Sequence, residues 1–273
     1  MKKIKILLNY FYKQYPFCTA SYIEMAAKKD SDIEVFKVGQ IKPSDVDLIF
    51  NIEQCPEIIT FPGVKSCYWE IDNHINRGAR IDRYNAVDWV FIAQKGYLPL
   101  YPKNKTLWLP LACDPEKHKE FKDEPIKYDI GFLGNDTYPI RQDLLNKLNR
   151  RYKLLRSTSE PGEPYSRLLS QCRFLFNRSM NNDMNMRVFE ALSVGRLFFT
   201  DKVEGMDDLF VDGEDYICFK DWDDLRELID YYLSKPKEAE GIAKHGQEVV
   251  RYFHTYKNRL DEVLAACSIK KNG

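Results

Sequence analysis

The sequence predicts an α/β protein built from two open parallel sheets in tandem. Three observations carry this. Short apolar runs recur along the chain, each bounded by polar or turn residues and spaced widely enough to hold a helix between them. A second such series starts near Tyr128, after the charge- and proline-rich stretch Asp114–Lys127, which reads as a linker. The length of 273 residues suits two domains of about 100–200 residues each, and either can bury a core.

In the first series Lys3–Asn9 reads as a buried strand. Ser21-Tyr22-Ile23-Glu24 has capping-box spacing, and Met25-Ala26-Ala27 after it suits a helix. Ile33–Val38, Val46–Ile52, Lys65–Ile71, Trp89–Ala93 and Thr106–Leu111 follow as strands. Such strands with long connections are the pattern of a parallel sheet covered by helices.

In the second series Tyr128–Gly134 alternates like a strand and ends in Gly-Asn-Asp. Pro139 opens a helix at its first position. Arg141–Tyr152 carries Leu144, Leu145 and Leu148 on one face. Phe174–Asn177 is a strand, Val188–Val194 a helix closed by Gly195, and Leu197–Thr200 a strand. Asp221 caps a helix striped by Leu225, Leu228, Ile229, Tyr232 and Leu233. Pro236 starts a new segment, and Thr255 caps the last helix. The resulting division is 1–115, 116–255 and a final helix over 256–273. Open α/β sheets bind ligands at the carboxyl ends of their strands, which predicts a cleft site.

Composition narrows the function. Lys+Arg and Asp+Glu both number 41. Residues 1–115 carry 15 of the former and 13 of the latter, leaving 26 and 28 for the rest. Neither half is a basic module, which argues against a nucleic-acid partner. No apolar run reaches the roughly 20 residues of a membrane span, and the N-terminal run is too short for a signal peptide. Seven scattered cysteines without CxxC spacing suit a reducing, cytoplasmic location. None of the four histidines pairs with a cysteine at metal-ligand spacing. His118 and His245 read as solvated, and His254 as a structural partner at the crossover to the last helix.

The most informative stretch is Asn177–Asp201: strand, polar loop, helix, glycine, strand. A polar loop ending at a helix N-terminus is an anion site. Arg187 and Glu190, three apart, share a helix face. A guanidinium there holds a diphosphate bidentately, and a carboxylate one turn on accepts from two vicinal sugar hydroxyls. An ordinary surface Arg–Glu pair has the same spacing.

Met186-Arg187-Val188-Phe189-Glu190-Ala191-Leu192-Ser193-Val194-Gly195-Arg196-Leu197-Phe198-Phe199-Thr200-Asp201 resembles the R-x-F-E-A-L-a-x-G…T-D signature of GT-B glycosyltransferases, with a CgeB-like group as the nearest pattern. Three further stretches are similar to that family. They are Tyr128–Asn135, Gly205–Phe210 with Gly213-Glu214, and Ile242–Gly246 followed by His254–Arg259. Order and spacing agree over roughly residues 105–265. The resemblance implies two Rossmann-like domains facing each other across a cleft, a last helix that packs back on the first domain, and a donor substrate that is a nucleotide-diphosphate sugar, UDP- or GDP-linked. Arg187 would contact the diphosphate and Glu190 the ribose. Gly134 and Asn135 would let the backbone approach the donor. Arg141 is a second phosphate candidate, or a solvated helix charge. Asn177 binds donor or loop backbone, or caps its strand. Asn185, just ahead of the helix, belongs to the same set. One position departs: Asn182, followed by Asp183, stands where many relatives place the first glutamate of E-x7-E. This leaves the stereochemical outcome open, with retention expected.

Asp72 and His74 follow the Lys65–Ile71 strand and share a face if that strand continues. They are the catalytic candidates; the alternative is that Glu70, Asp72 and His74 cap the next helix. An inverting enzyme needs one of them as base. In a retaining one the leaving phosphate takes the proton. Asp45-Val46-Asp47 and Asp221-Trp222-Asp223 fit the metal-binding DxD pattern, but helix capping explains the second. No metal and no cofactor are expected, since helix dipole and basic side chains stabilise the leaving group. Tyr10, Phe11, Tyr12, Tyr15 and Phe17 form either an acceptor platform or a packed loop. The expected activity is hexosyl transfer to a glycan, protein, lipid or small-molecule hydroxyl. The alternatives are a non-catalytic nucleotide- or glycan-binding member of a surface or coat assembly, and a transferase acting on modified nucleic-acid bases.

Overall fold

In the computed structural model, which describes residues 2–11, 17–53, 55–76, 80–158 and 162–271, every described strand pairing is parallel. The chain divides into two units, Met1–Leu111 with Tyr256–Gly273, and Ala112–Thr255.

The first unit holds β1 (Ile4–Asn9), β2 (Ile33–Lys37), β3 (Leu48–Ile52), β4 (Lys65–Glu70), β5 (Trp89–Ile92) and β6 (Thr106–Trp108). Their order is β2-β1-β3-β4-β5-β6. The order reverses between β1 and β3. Strands covered on both faces are largely apolar, and β3 is buried along its whole length, its one polar residue, Asn51, bonded to Asn9 and to the Ile59 backbone. The connecting helices are α1 (Thr19–Lys29), α2 (Asn73–Asn76) and α3 (Ile81–Ala86). α1 starts earlier than the capping-box reading of Ser21–Glu24 places it. Ser21 sits inside the first turn and its hydroxyl accepts from the Cys18 N–H at 2.8 Å. Glu24 is a mid-helix carboxylate bonded to Lys28.

The C-terminal helix Tyr256–Ala266 belongs to this unit. Tyr256 stacks on Tyr22 of α1 with ring centroids 5.1 Å apart. Arg259, buried, donates to the carbonyls of Pro110 (2.7 Å) and Leu111 (3.2 Å) and pairs with Glu262. Farther on, Lys271 bridges Asp30 and Asp261.

The second unit holds β7 (Tyr128–Leu133), β8 (Leu154–Ser157), β9 (Cys172–Phe176), β10 (Leu197–Thr200) and β11 (Ile217–Cys218). Between them run α4 (Pro139–Arg151), α5 (Glu163–Ser170), α6 (Met186–Val194) and α7 (Met206–Leu209), with α8 (Trp222–Ser234) and α9 (Pro236–Phe253) after the last strand. The order is β11-β10-β9-β7-β8, so direction reverses between β7 and β9. The core packs Phe132, Phe174, Phe176, Phe199 and Phe219 against Leu145, Leu148, Leu225 and Ile229. Asp221 caps α8, its carboxylate accepting from the Asp224 N–H at 3.0 Å. The 114–127 stretch is packed into this unit: His118 and Phe121 are buried, and the Ser193 hydroxyl donates to the His118 carbonyl. Among the described residues no helix is long and apolar enough to cross a membrane.

Arg259→Ala leaves two buried carbonyls without their donor, at about 1–3 kcal/mol each. Urea unfolding is expected to show a loss of about 3 kcal/mol, with the C-terminal helix the first segment to lose amide protection.

Candidate functional site

In a doubly wound sheet the loops after the two strands flanking the reversal part from each other, and a ligand enters between them. In the second unit those loops follow β7 and β9. Gly134 and Asn135 form the first, Asn177, Arg178 and Ser179 the second, and α6 begins beside them.

Arg187, in the first turn of α6, spans this point. Its Nε donates to the Leu133 carbonyl at the end of β7 (2.8 Å), and its Nη1 to Asn177 Oδ1 past the end of β9 (2.7 Å). The guanidinium lies 4.6 Å over the Phe132 ring, a cation–π contact. Gly134 has φ +144°, and a Cβ there would land on the Arg187 Nη2. Glycine is required by the backbone and by the guanidinium together.

Asn177 is completely buried, and its amide donates to Thr200 (3.1 Å) and Ser179 (3.3 Å) while its oxygen holds Arg187. It acts by fixing Arg187. Arg141 corrects the solvated-charge alternative. It is 4% exposed. It donates to the Asn135 carbonyl after β7 and to the Arg178 carbonyl after β9 (2.6 and 3.0 Å), tying the two loops together. Burial, then the neighbouring Arg187 charge, lowers its pKa to about 10, so it stays protonated at neutral pH.

Asn135 is exposed and its side chain accepts from Thr137. Asn182 is exposed with φ 60°, beside Asn181 at φ 49°. This left-handed turn suits asparagine. Its side chain accepts from the Glu204 N–H at 2.8 Å. Asn185 is the residue before α6, and its Oδ1 is buried with no hydrogen-bond partner.

Glu190 lies one turn beyond Arg187 and is nearly buried. Its Oε1 is 3.3 Å from His118 Nε2. His118 is therefore not solvated. The Asp114 N–H donates to Nδ1 at 3.1 Å, which leaves the ring proton on Nε2, facing Glu190. Burial holds the His118 pKa below its ordinary value, so the ring is neutral. His245 is half exposed and bonded to Asp215 (2.7 Å), and His254 is buried against Phe210. Arg178, given no role by the motif, pairs with Asp201 at 3.5 Å.

In the first unit β4 stops at Glu70 and α2 begins at Asn73, so Asp72 and His74 are not alternate residues of one strand. The chain turns there because Asn73, fully buried, accepts from the N–H groups of Ala93 and Gln94 and donates to Tyr101. His74 is mostly buried, and burial lowers its pKa while the Asp72 charge opposes this. Glu70 is a buried acceptor for Tyr84 (2.5 Å) and Tyr101 (3.0 Å). Of the aromatic cluster, Tyr10 is packed with its hydroxyl on Glu24, Phe11 is exposed, and Tyr12 and Tyr15 lie outside the described residues.

Residues 133–265 match the family model described as glycosyl transferase-like. The chain carries a glycosyl transferase-like domain. Its class of enzyme is glycosyltransferase. HepE of Anabaena, solved with UDP and glucose, superposes at TM-score 0.67 and 11% identity over 97% of this chain and 99% of that one. Sucrose-phosphate synthase of Thermosynechococcus elongatus gives 0.64 and 11% over 96% and 97%. An α-glucosyltransferase in complex with UDP and a 13-mer DNA containing a HMU base gives 0.74 and 10% over 97% and 100%. At these identities the likeness establishes the fold, which is GT-B, with two Rossmann-like units. No curated protein matches the chain in sequence.

Gly134→Ala forces an L side chain into φ +144° and into the Arg187 guanidinium. A stability loss of about 2 kcal/mol is expected by chemical denaturation.

Proposed function

We propose that the chain is a metal-independent, retaining glycosyltransferase that moves a hexose from a UDP-sugar to an acceptor hydroxyl. The observation that carries this is Arg187, held over the β7/β9 reversal with Gly134 beneath its Nη2. Two of its nitrogens are anchored, and in this reading Nη2, packed beside Gly134, binds the ligand without the usual cost of ordering an arginine.

In this reading Nη2 and the α6 N-terminus bind the diphosphate, and Arg141 keeps the two loops at the spacing it needs. Three fixed positive elements stabilise the charge that develops on the leaving diphosphate, the task a metal performs elsewhere. The Glu190 Oε1 receives the His118 N–H, and its Oε2 takes the ribose hydroxyls. Asn185 Oδ1 is an acceptor ready for a donor hydroxyl. The Asn182 Oδ1 is taken by the Glu204 N–H, which leaves its amide N–H groups to donate to sugar hydroxyls, and in this reading the adjacent Asp183 supplies the carboxylate in place of the first glutamate of E-x7-E. Asp72 and His74, beyond the carboxyl end of β4 in the first unit, are in this reading the groups that hydrogen-bond the acceptor. The acceptor oxygen attacks the anomeric carbon as the bond to the diphosphate breaks, and the acceptor proton passes to the departing phosphate oxygen. HepE solved with UDP-glucose supports a UDP donor. The α-glucosyltransferase supports retention, because UDP-glucose is itself α-linked.

A second reading places the acceptor on a modified base of DNA. The neighbour solved with UDP and DNA favours it. The formal net charge of zero weighs against a phosphate footprint. DNA binding that weakens steeply with salt would support it.

A thermal-shift screen of nucleotide-diphosphate sugars, with and without EDTA, tests the main reading. A UDP-hexose is expected to raise Tm equally in both conditions, and Arg187→Ala to abolish the shift. Stabilisation lost in EDTA, or retained in the variant, would contradict it.

A further inference from the structure

Glu53 follows β3, and nothing in the spacing of the sequence marks it. It is 5% exposed, among the most buried carboxylates of the first unit. Its Oε2 accepts the backbone N–H groups of both Ile71 and Asp72. Its Oε1 lies 3.3 Å from Arg80 Nη1. β4 has ended by then, so the N–H groups of residues 71 and 72 receive from Glu53 the partner that a strand ladder would otherwise supply. On the other side Asn73 pins the same turn to the N–H groups of Ala93 and Gln94. The turn carrying Asp72 is clamped from both neighbouring strands.

We propose that Glu53 is the positioning residue of this turn: it fixes the backbone at Ile71 and Asp72 and so sets the direction of the Asp72 carboxylate during transfer. The inference rests on the role given to Asp72 above. Among the described residues, the charged and titratable groups around Glu53 are Tyr68 and Glu70 of β4, Asp72 beyond it, Arg80 ahead of α3, and Cys55 with Arg83 beside it. Burial, reinforced by the Asp72 charge, pushes the Glu53 pKa up to about 7. The carboxylate is the stronger acceptor for two N–H donors; the protonated acid needs an acceptor of its own and releases the turn. The working form therefore fills as pH rises through about 7. Stability runs the other way. An acid whose pKa is raised by folding contributes stability fully below its unfolded value, and that contribution is lost as pH rises through about 7.

Three measurements test this. The amide protons of Ile71 and Asp72, followed by NMR, are expected to titrate near pH 7 in the wild type and not in Glu53→Gln. UDP release from UDP-glucose is expected to rise about tenfold from pH 6 to pH 8, following the ionised fraction. That limb should vanish in Glu53→Gln, with donor KM unchanged. The Tm of the wild type should fall between pH 5 and 8 relative to that of Glu53→Gln, whose amide oxygen preserves the acceptor and the fold. Amide titration or a pH limb that survives in Glu53→Gln overturns the proposal for Glu53 alone. Full turnover in Asp72→Asn overturns the role of Asp72 and, with it, this proposal.

Discussion

One side chain determines how the second unit is built: Arg187. A guanidinium near a sheet's carboxyl edge must be paired, and here the pairing is with the ends of both strands that flank the reversal. That single demand explains its surroundings. Residue 134 must lack a Cβ, residue 132 must be aromatic and flat beneath the cation, and residue 177 must offer an oxygen from a fully buried position. Asn177 in turn needs partners for its own amide, and Thr200 and Ser179 supply them. Arg141 repeats the device from α4, closing the loops by their carbonyls. The result is a pair of guanidinium groups held in place by hydrogen bonds to the loops after β7 and β9, and fixed charge of this kind is what electrostatic stabilisation of a developing anion requires.

The first unit obeys the same constraint with opposite charge. At the carboxyl ends of β3 and β4 it buries two carboxylates, Glu53 against the Ile71 and Asp72 N–H groups and Arg80, and Glu70 against the Tyr84 and Tyr101 hydroxyls. Burying such charges requires donors: Glu53 has them on both oxygens, while both Glu70 donors reach Oε2 and its Oε1 has no partner. The same polar matching seals the C-terminal helix to this unit, where Arg259 saturates two carbonyls at the end of the β6 segment.

The strands were legible because parallel strands are apolar on both faces, and β1 and β10 lie within a residue of the runs that predict them. β8 was not. Leu154-Leu155-Arg156-Ser157 is an edge strand, half polar, with no run to see. α1 was misplaced because Ser21–Glu24 fits a capping box by spacing, whereas the hydroxyl reaches back from inside the helix. Arg187 and Gly134 could be singled out by motif, but their contact joins residues 53 apart in sequence and is a tertiary fact. His118 could not be seen beside Glu190 at all, since a lone histidine in a charged stretch reads as solvated. Glu53 carries no sequence signal either: two of its partners are backbone N–H groups and the third, Arg80, is a tertiary contact.

The central claim is that Arg187 reads the second phosphate of the nucleotide. The direct measurement is the ratio of UDP to UMP affinity by calorimetry, in the wild type and in Arg187→Ala. The account predicts a wild-type preference for UDP of about tenfold or more, equivalent to about 1.4 kcal/mol, and a ratio near one in the variant. An undiminished preference in Arg187→Ala would contradict it.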